Sequence, residues 1–132
     1  MKLNNFLVMG LILFTFFSCK SDDDSTSQSE YPKTVNIKFE VLSETNAGVL
    51  TITTTIDNDS QEHLGSFPFS FAATQQEATI GTYIKLTYYN GNGPLEEHEA
   101  ELRIYVNDEI VSSETFSVSE SNNLVFIEYT FQ

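Results

Sequence analysis

The chain has 132 residues, one cysteine, no tryptophan and a formal net charge of −13. A single cysteine excludes an intrachain disulfide, and so acidic a balance makes nucleic acid and anionic headgroups poor partners. Setting aside an N-terminal address and a linker leaves about 100 residues, enough for one domain with its own core.

The address comes first. Lys2 precedes an apolar run from Phe6 to Phe17, interrupted only by Gly10 and Thr15. As a helix the run would span about 18 Å, well short of a hydrocarbon core of about 30 Å, so it reads as the hydrophobic region of a signal peptide over residues 1–18. Ser18 and Cys19 close it, and Lys20, Ser21, Asp22, Asp23 and Asp24 follow at once. Removing residues 1–18 takes away one lysine and no acid, leaving a net charge of −14. Residues 19–32 form a linker, in which Ser21 to Glu30 is entirely Ser, Asp, Thr, Gln and Glu. Such a composition has too little apolar surface to fold.

From Tyr31 onward the hydrophobic period is two. Val35, Ile37, Phe39 and Val41 alternate with Asn36, Lys38 and Glu40. Asn46-Ala47-Gly48 supplies a turn. Val49 to Ile56 is half threonine, a residue whose branched Cβ suits a pleated surface. Asp57-Asn58-Asp59-Ser60 breaks the strand. Gly65 to Phe71 places Phe67, Phe69 and Phe71 on one face, with Pro68 marking an edge or a crossover. Ile80 to Tyr89 is extended, and Asn90-Gly91-Asn92-Gly93-Pro94 is a loop. Glu96 to Glu99 suits at most a short helical turn. Ala100, Leu102, Ile104 and Val106 share a face, Asn107-Asp108 makes a tight hairpin, and Ile110 to Val118 returns. Ser119 to Asn123 turns the chain into Leu124–Phe131. The pattern predicts an all-β fold over residues 33–132: an immunoglobulin-like antiparallel β-sandwich of about seven strands.

The sequence carries no recognisable catalytic, metal or cofactor signal. His63 and His98 each follow an acid, Glu62 and Glu97, and read as solvated loop residues. Glu96-Glu97-His98-Glu99 and Asp57-Asn58-Asp59 lack the spacing of a twelve-residue calcium loop. No Gly-x-Ser-x-Gly context supports a nucleophile, and Asn90-Gly91-Asn92-Gly93 lacks the Lys-Ser/Thr and the helix of a phosphate cradle. The expectation is therefore no catalytic residue, no metal and no cofactor. Phe39, Phe67, Phe69, Phe71, Phe116, Phe126 and Phe131 are expected in the core. Tyr83, Tyr88, Tyr89 and Tyr105 are candidates for a glycan- or peptide-binding face, because tyrosine offers rigid area with a polar tip.

Two resemblances add to this reading. Phe16-Phe17-Ser18-Cys19 resembles the lipobox of bacterial lipoproteins, with Phe16 where leucine is commonest and a bulky Phe17. That likeness implies palmitate-type acylation of Cys19 and cleavage just before it. The following Lys20-Ser21-Asp22-Asp23-Asp24 resembles the acidic export signal of Bacteroidota surface lipoproteins. It implies a lipid-anchored protein of the outer membrane, exposed at the cell surface. The strands Thr34–Val41 and Tyr83–Asn90 and the hairpin Leu102–Val111 resemble small membrane-anchored proteins related to the MmpS transport-accessory family. This implies a β-sandwich held at a membrane, in some relatives beside a transporter. Leu64-Gly65-Ser66-Phe67-Pro68-Phe69 and Asp108 depart from that family's pattern. The expected role is a non-enzymatic interaction module with a protein or glycan ligand. The alternatives are a periplasm-facing accessory of an export or efflux system and a glycan-binding module using surface tyrosines.

Overall fold

The computed structural model describes residues 31–45, 49–91 and 96–132. Cys19, the run from Lys20 to Asp24, the turn at Asn46-Ala47-Gly48 and the Asn92-Gly93-Pro94 part of the long loop lie outside the described residues.

Eight strands form where about seven were expected: β1 (Lys33–Leu42), β2 (Leu50–Ile56), β3 (Asp59–Gly65), β4 (Phe69–Ala78), β5 (Tyr83–Tyr89), β6 (His98–Val106), β7 (Glu109–Val118) and β8 (Leu124–Thr130). They make two four-stranded sheets, β4-β1-β6-β7 and β3-β2-β5-β8, antiparallel throughout. The fold is a β-sandwich. Its interior is the period-two pattern made solid. Val35, Ile37, Phe39 and Val41 of β1 and Leu102 and Ile104 of β6 meet Leu50 and Ile52 of β2, Ile84 and Leu86 of β5, and Ile127 of β8. Each of these is at most 4% exposed. Burying such a side chain contributes about 1.5–3 kcal/mol.

The additional strand is β3. Asp57-Asn58 is a two-residue turn, with Asp57 at a φ of 51°, so the chain doubles back where a break was expected. Its sequence, Asp-Ser-Gln-Glu-His-Leu-Gly, carries no apolar alternation because β3 is an edge strand exposed along most of its length. The expected strand Gly65–Phe71 is divided between the end of β3 and the start of β4, and β4 continues to Ala78. The strand expected from Ile80 starts at Tyr83. Ahead of it Thr82 N donates to Thr79 O at 3.0 Å, with Gly81 at a φ of 90°, which only glycine adopts readily. His98 and Glu99 belong to β6 rather than to a helical turn. The Asn107-Asp108 hairpin forms with both residues at positive φ, 49° and 68°.

Two bulges keep the apolar side chains in phase. In β4, Thr74 and Gln75 together face Asn36, so the inward set changes from Phe69, Phe71 and Ala73 to Gln76 and Ala78. In β7 the register slips at Val111, which turns Ser112, Phe116 and Val118 toward β6's buried face. Asn36 links both regions. Its Oδ1 accepts from Gln75 N at 3.0 Å, its N donates to Asn107 Oδ1 at 2.9 Å, and its O accepts from Asn107 N at 2.8 Å. Asn36→Ala removes the bond to the bulge and is expected to destabilise the fold by about 1 kcal/mol. The check is a lowered urea midpoint with an unchanged slope.

Candidate functional surfaces

The outer face of the β3-β2-β5-β8 sheet carries the most unusual surface. Antiparallel register sets Leu64, Thr51, Tyr89 and Leu124 side by side across all four strands. The next row holds Glu62, Thr53, Thr87 and Phe126. Leu64 is 70% exposed, Leu124 53%, Phe126 44% and Tyr89 38%. Val49, just before β2, is exposed at the same end. An outward row of large apolar side chains on a sheet otherwise faced with threonine and charge is a candidate contact surface. The Tyr89 ring lies folded over Gly91, where an added Cβ would collide with it. Lys85 Nζ sits 3.9 Å from the Phe126 ring centroid, and Tyr83 Oη donates to Glu128 Oε2 at 3.0 Å.

This arrangement corrects two expectations. Phe126 is not a core residue: it is even in a strand whose odd residues Val125, Ile127 and Tyr129 turn inward. Phe39 and Phe131 are buried, whereas Phe67, Phe69, Phe71 and Phe116 are half-buried against the core. Nor do the four tyrosines form one platform. Tyr83 and Tyr89 share the outer face of one sheet, Tyr88 is buried between the sheets, and Tyr105 lies on the other sheet. Alternation within β5 sends Tyr88 the opposite way from its neighbours.

Tyr88 belongs to a buried polar pair that was not legible in the sequence. His98, expected to be solvated, is 7% exposed. Its Nδ1 lies 2.7 Å from Glu96 O, and a carbonyl only accepts, so Nδ1 carries the proton. In the neutral ring Nε2 is then bare and accepts from Tyr88 Oη at 3.0 Å. Phe67 meets both rings edge-on, at 5.6 Å and 5.9 Å between centroids. Burial pushes the Tyr88 phenol up to about 12, outweighing the opposing hydrogen bond from Asn90. The pair works as a structural bolt between β5 and the entry to β6.

His63 is likewise not a loop residue. It faces inward from β3, with Nε2 2.9 Å from Thr54 Oγ1 and its ring centroid 4.4 Å from that of Phe71. Burial pushes its pKa below the ordinary histidine value. On the outer face of the other sheet, Tyr105 Oη donates to Glu40 Oε2 at 2.6 Å, and Lys38 lies 3.1 Å from Glu40 Oε1 and over the Tyr105 ring. Burial alone would raise the Glu40 carboxyl, but the bonds from Tyr105 and Lys38 outweigh it and hold it below the usual range. Arg103 binds Glu101 through two bonds of 2.7 Å. Both ion pairs lie within one strand, Lys38–Glu40 in β1 and Arg103–Glu101 in β6, and the bond that ties β6 to β1 is the one from Tyr105 to Glu40.

Among the described residues, no group of three or more His, Cys, Asp or Glu gathers as a metal site, and no helix is long and apolar enough to cross a membrane. The two histidines lie on different strands, each engaged locally.

Tyr88→Phe leaves a buried imidazole nitrogen without its donor and is expected to destabilise the fold by about 1–3 kcal/mol, read by denaturant titration. For His63 the unfolded chain binds a proton more readily than the folded one. Stability is therefore expected to fall as pH drops below the ordinary histidine value of about 6.5. His63→Gln is expected to flatten that slope between pH 7 and 5.5, measured by thermal unfolding.

No protein-family model matches this chain, and no curated protein matches it either.

Proposed function

We propose that this chain is a lipid-anchored interaction module of the cell envelope, exposed at the outer surface and without catalytic activity. The observation that carries the interaction role is the exposed row formed by Leu64, Tyr89, Leu124 and Phe126. The anchor rests on the sequence around Cys19 and the acidic run after it.

The geometry of the domain supports putting the two together. Tyr31, where the linker meets the domain, packs edge-on against Phe131 at 6.5 Å and donates to Gln132 O at 3.2 Å. Phe131 follows the last residue of β8, whereas Leu124 is its first. A seven-residue strand separates them by about 20 Å. The linker thus enters at one end of the sandwich, and the apolar row lies at the other. A tether at Cys19 would present that row away from the lipid. The eleven residues from Lys20 to Glu30 that intervene reach at most about 40 Å, so the domain would stay close to the membrane while its far end faced outward.

The test uses the full-length protein in its native host. Cys19→Ala is expected to abolish incorporation of labelled palmitate and to release the protein from the membrane fraction. Protease added to intact cells is expected to degrade the anchored protein. Protection until the outer membrane is opened would instead indicate a periplasm-facing anchor. Phe126→Ser and Leu124→Ser are each expected to lower stability by no more than about 1 kcal/mol, because both side chains are already about half exposed. The same changes are expected to reduce cross-linking to envelope partners, as is Gly91→Ala, which displaces Tyr89 without removing it.

A further inference from the structure

The sandwich is closed along one side and open along the other. β7 and β8, edge strands of opposite sheets, pack together. β3 and β4, the other two edges, form no ladder with each other and diverge from the short connection Ser66–Pro68. Between them lies a cleft of about 430 Å³. The His63–Phe71 contact closes it at the connection end. Its floor is Ile56, Phe71 and Ala73, inward-facing residues that the opposite sheet covers only in part, with Thr54 buried beneath them. Asp57, Asp59 and Glu77 stand around the opening, and among the described residues no basic one lines it. The β4 bulge turns Gln76 into the same space.

From this geometry we infer that the β3/β4 cleft binds an extended segment of a partner protein carrying lysine or arginine. The chemistry of the walls selects that occupant. Every second residue of an edge strand turns its N–H and C=O away from its ladder partner, so both sides of the cleft offer unpaired backbone to an added strand. The apolar floor suits the methylene stem of a long basic side chain, and the acidic rim suits its charged head. Neither Asp59 nor Glu77 takes part in an ion pair among the described residues. Charge also excludes the nearest competitors. The chain's own linker carries Asp22, Asp23, Asp24 and Glu30 against Lys20, and a second copy carries the same net charge of −13. Both would be repelled by the rim.

This deepens the reading of the domain as an interaction module and is independent of the lipid anchor. The experiment titrates the purified full-length protein, held in detergent, with an eight-residue peptide alternating lysine and threonine. Its glutamate–threonine counterpart and spermidine are the controls. The lysine peptide is expected to bind, and the glutamate peptide is not. Asp59→Asn with Glu77→Gln, which preserves shape, and Ala73→Leu, which fills the floor, are each expected to weaken binding about tenfold or more. Circular dichroism checks that each variant is folded. Absence of lysine-peptide binding overturns the proposal. So does loss with the charge variant but not with Ala73→Leu, which would be surface attraction alone, and so does spermidine binding as tightly as the peptide. Phe126→Ser and Leu124→Ser lie on the outer face of the sheet and are expected to leave peptide affinity unchanged. Failure in the cleft therefore leaves the outer apolar row, and the function proposed on it, separately testable.

Discussion

The structure depends on one constraint: eight strands must keep their apolar side chains turned toward a shared interior that no disulfide reinforces. A one-residue slip in any strand would send its whole inward set into water. The chain meets this at its two irregular places by inserting residues. The bulge at Thr74-Gln75 and the slip at Val111 each restore the inward phase before a buried residue, Ala78 or Val118, has to be placed. Asn36 fixes the first of these against the hairpin that precedes the second. One residue, through its side chain on one side and its backbone on the other, thus couples two corrections that are far apart in sequence.

The edges of the sheets show how the exposed backbone is managed. β3 is almost wholly polar, β4 is bent by its bulge, and β7 carries Glu114 in register with buried Leu102. An inward-phased charge on an edge strand discourages another chain from pairing there. Among the described residues, the β3/β4 side leaves a gap between the layers, because the three-residue connection there joins the two sheets at one end and lets them part at the other.

The sandwich architecture was readable from the chain because the buried strands alternate strictly. Val35 to Val41, Ala100 to Ile104 and Val125 to Ile127 all point where the period puts them. The Asn107-Asp108 turn was readable from its residue types. The unreadable parts have physical reasons. β3 is held by pairing with β2 and not by burial, so its sequence carries no apolar signal. Residue type points Phe126 to the core and Tyr88 to a binding face, whereas strand phase turns Phe126 outward and Tyr88 inward. The acidic neighbours of His98 suggest a solvated loop. Glu97 and Glu99 are exposed while His98 between them turns inward to Tyr88, which is the two-residue alternation applied to a polar residue. The apolar row on the outer face needed the register of four strands, which no local pattern supplies.

The meeting of Tyr31 and Gln132 at one corner has a practical consequence. Because the start and finish of the domain adjoin, a linker of a few residues would join them without crossing the sandwich. A circularly permuted domain, opened instead at a connection such as the one after β5, would retain every ladder and move its point of attachment to the far end. The same body could then be mounted upside down, with the opposite face offered to whatever lies outside.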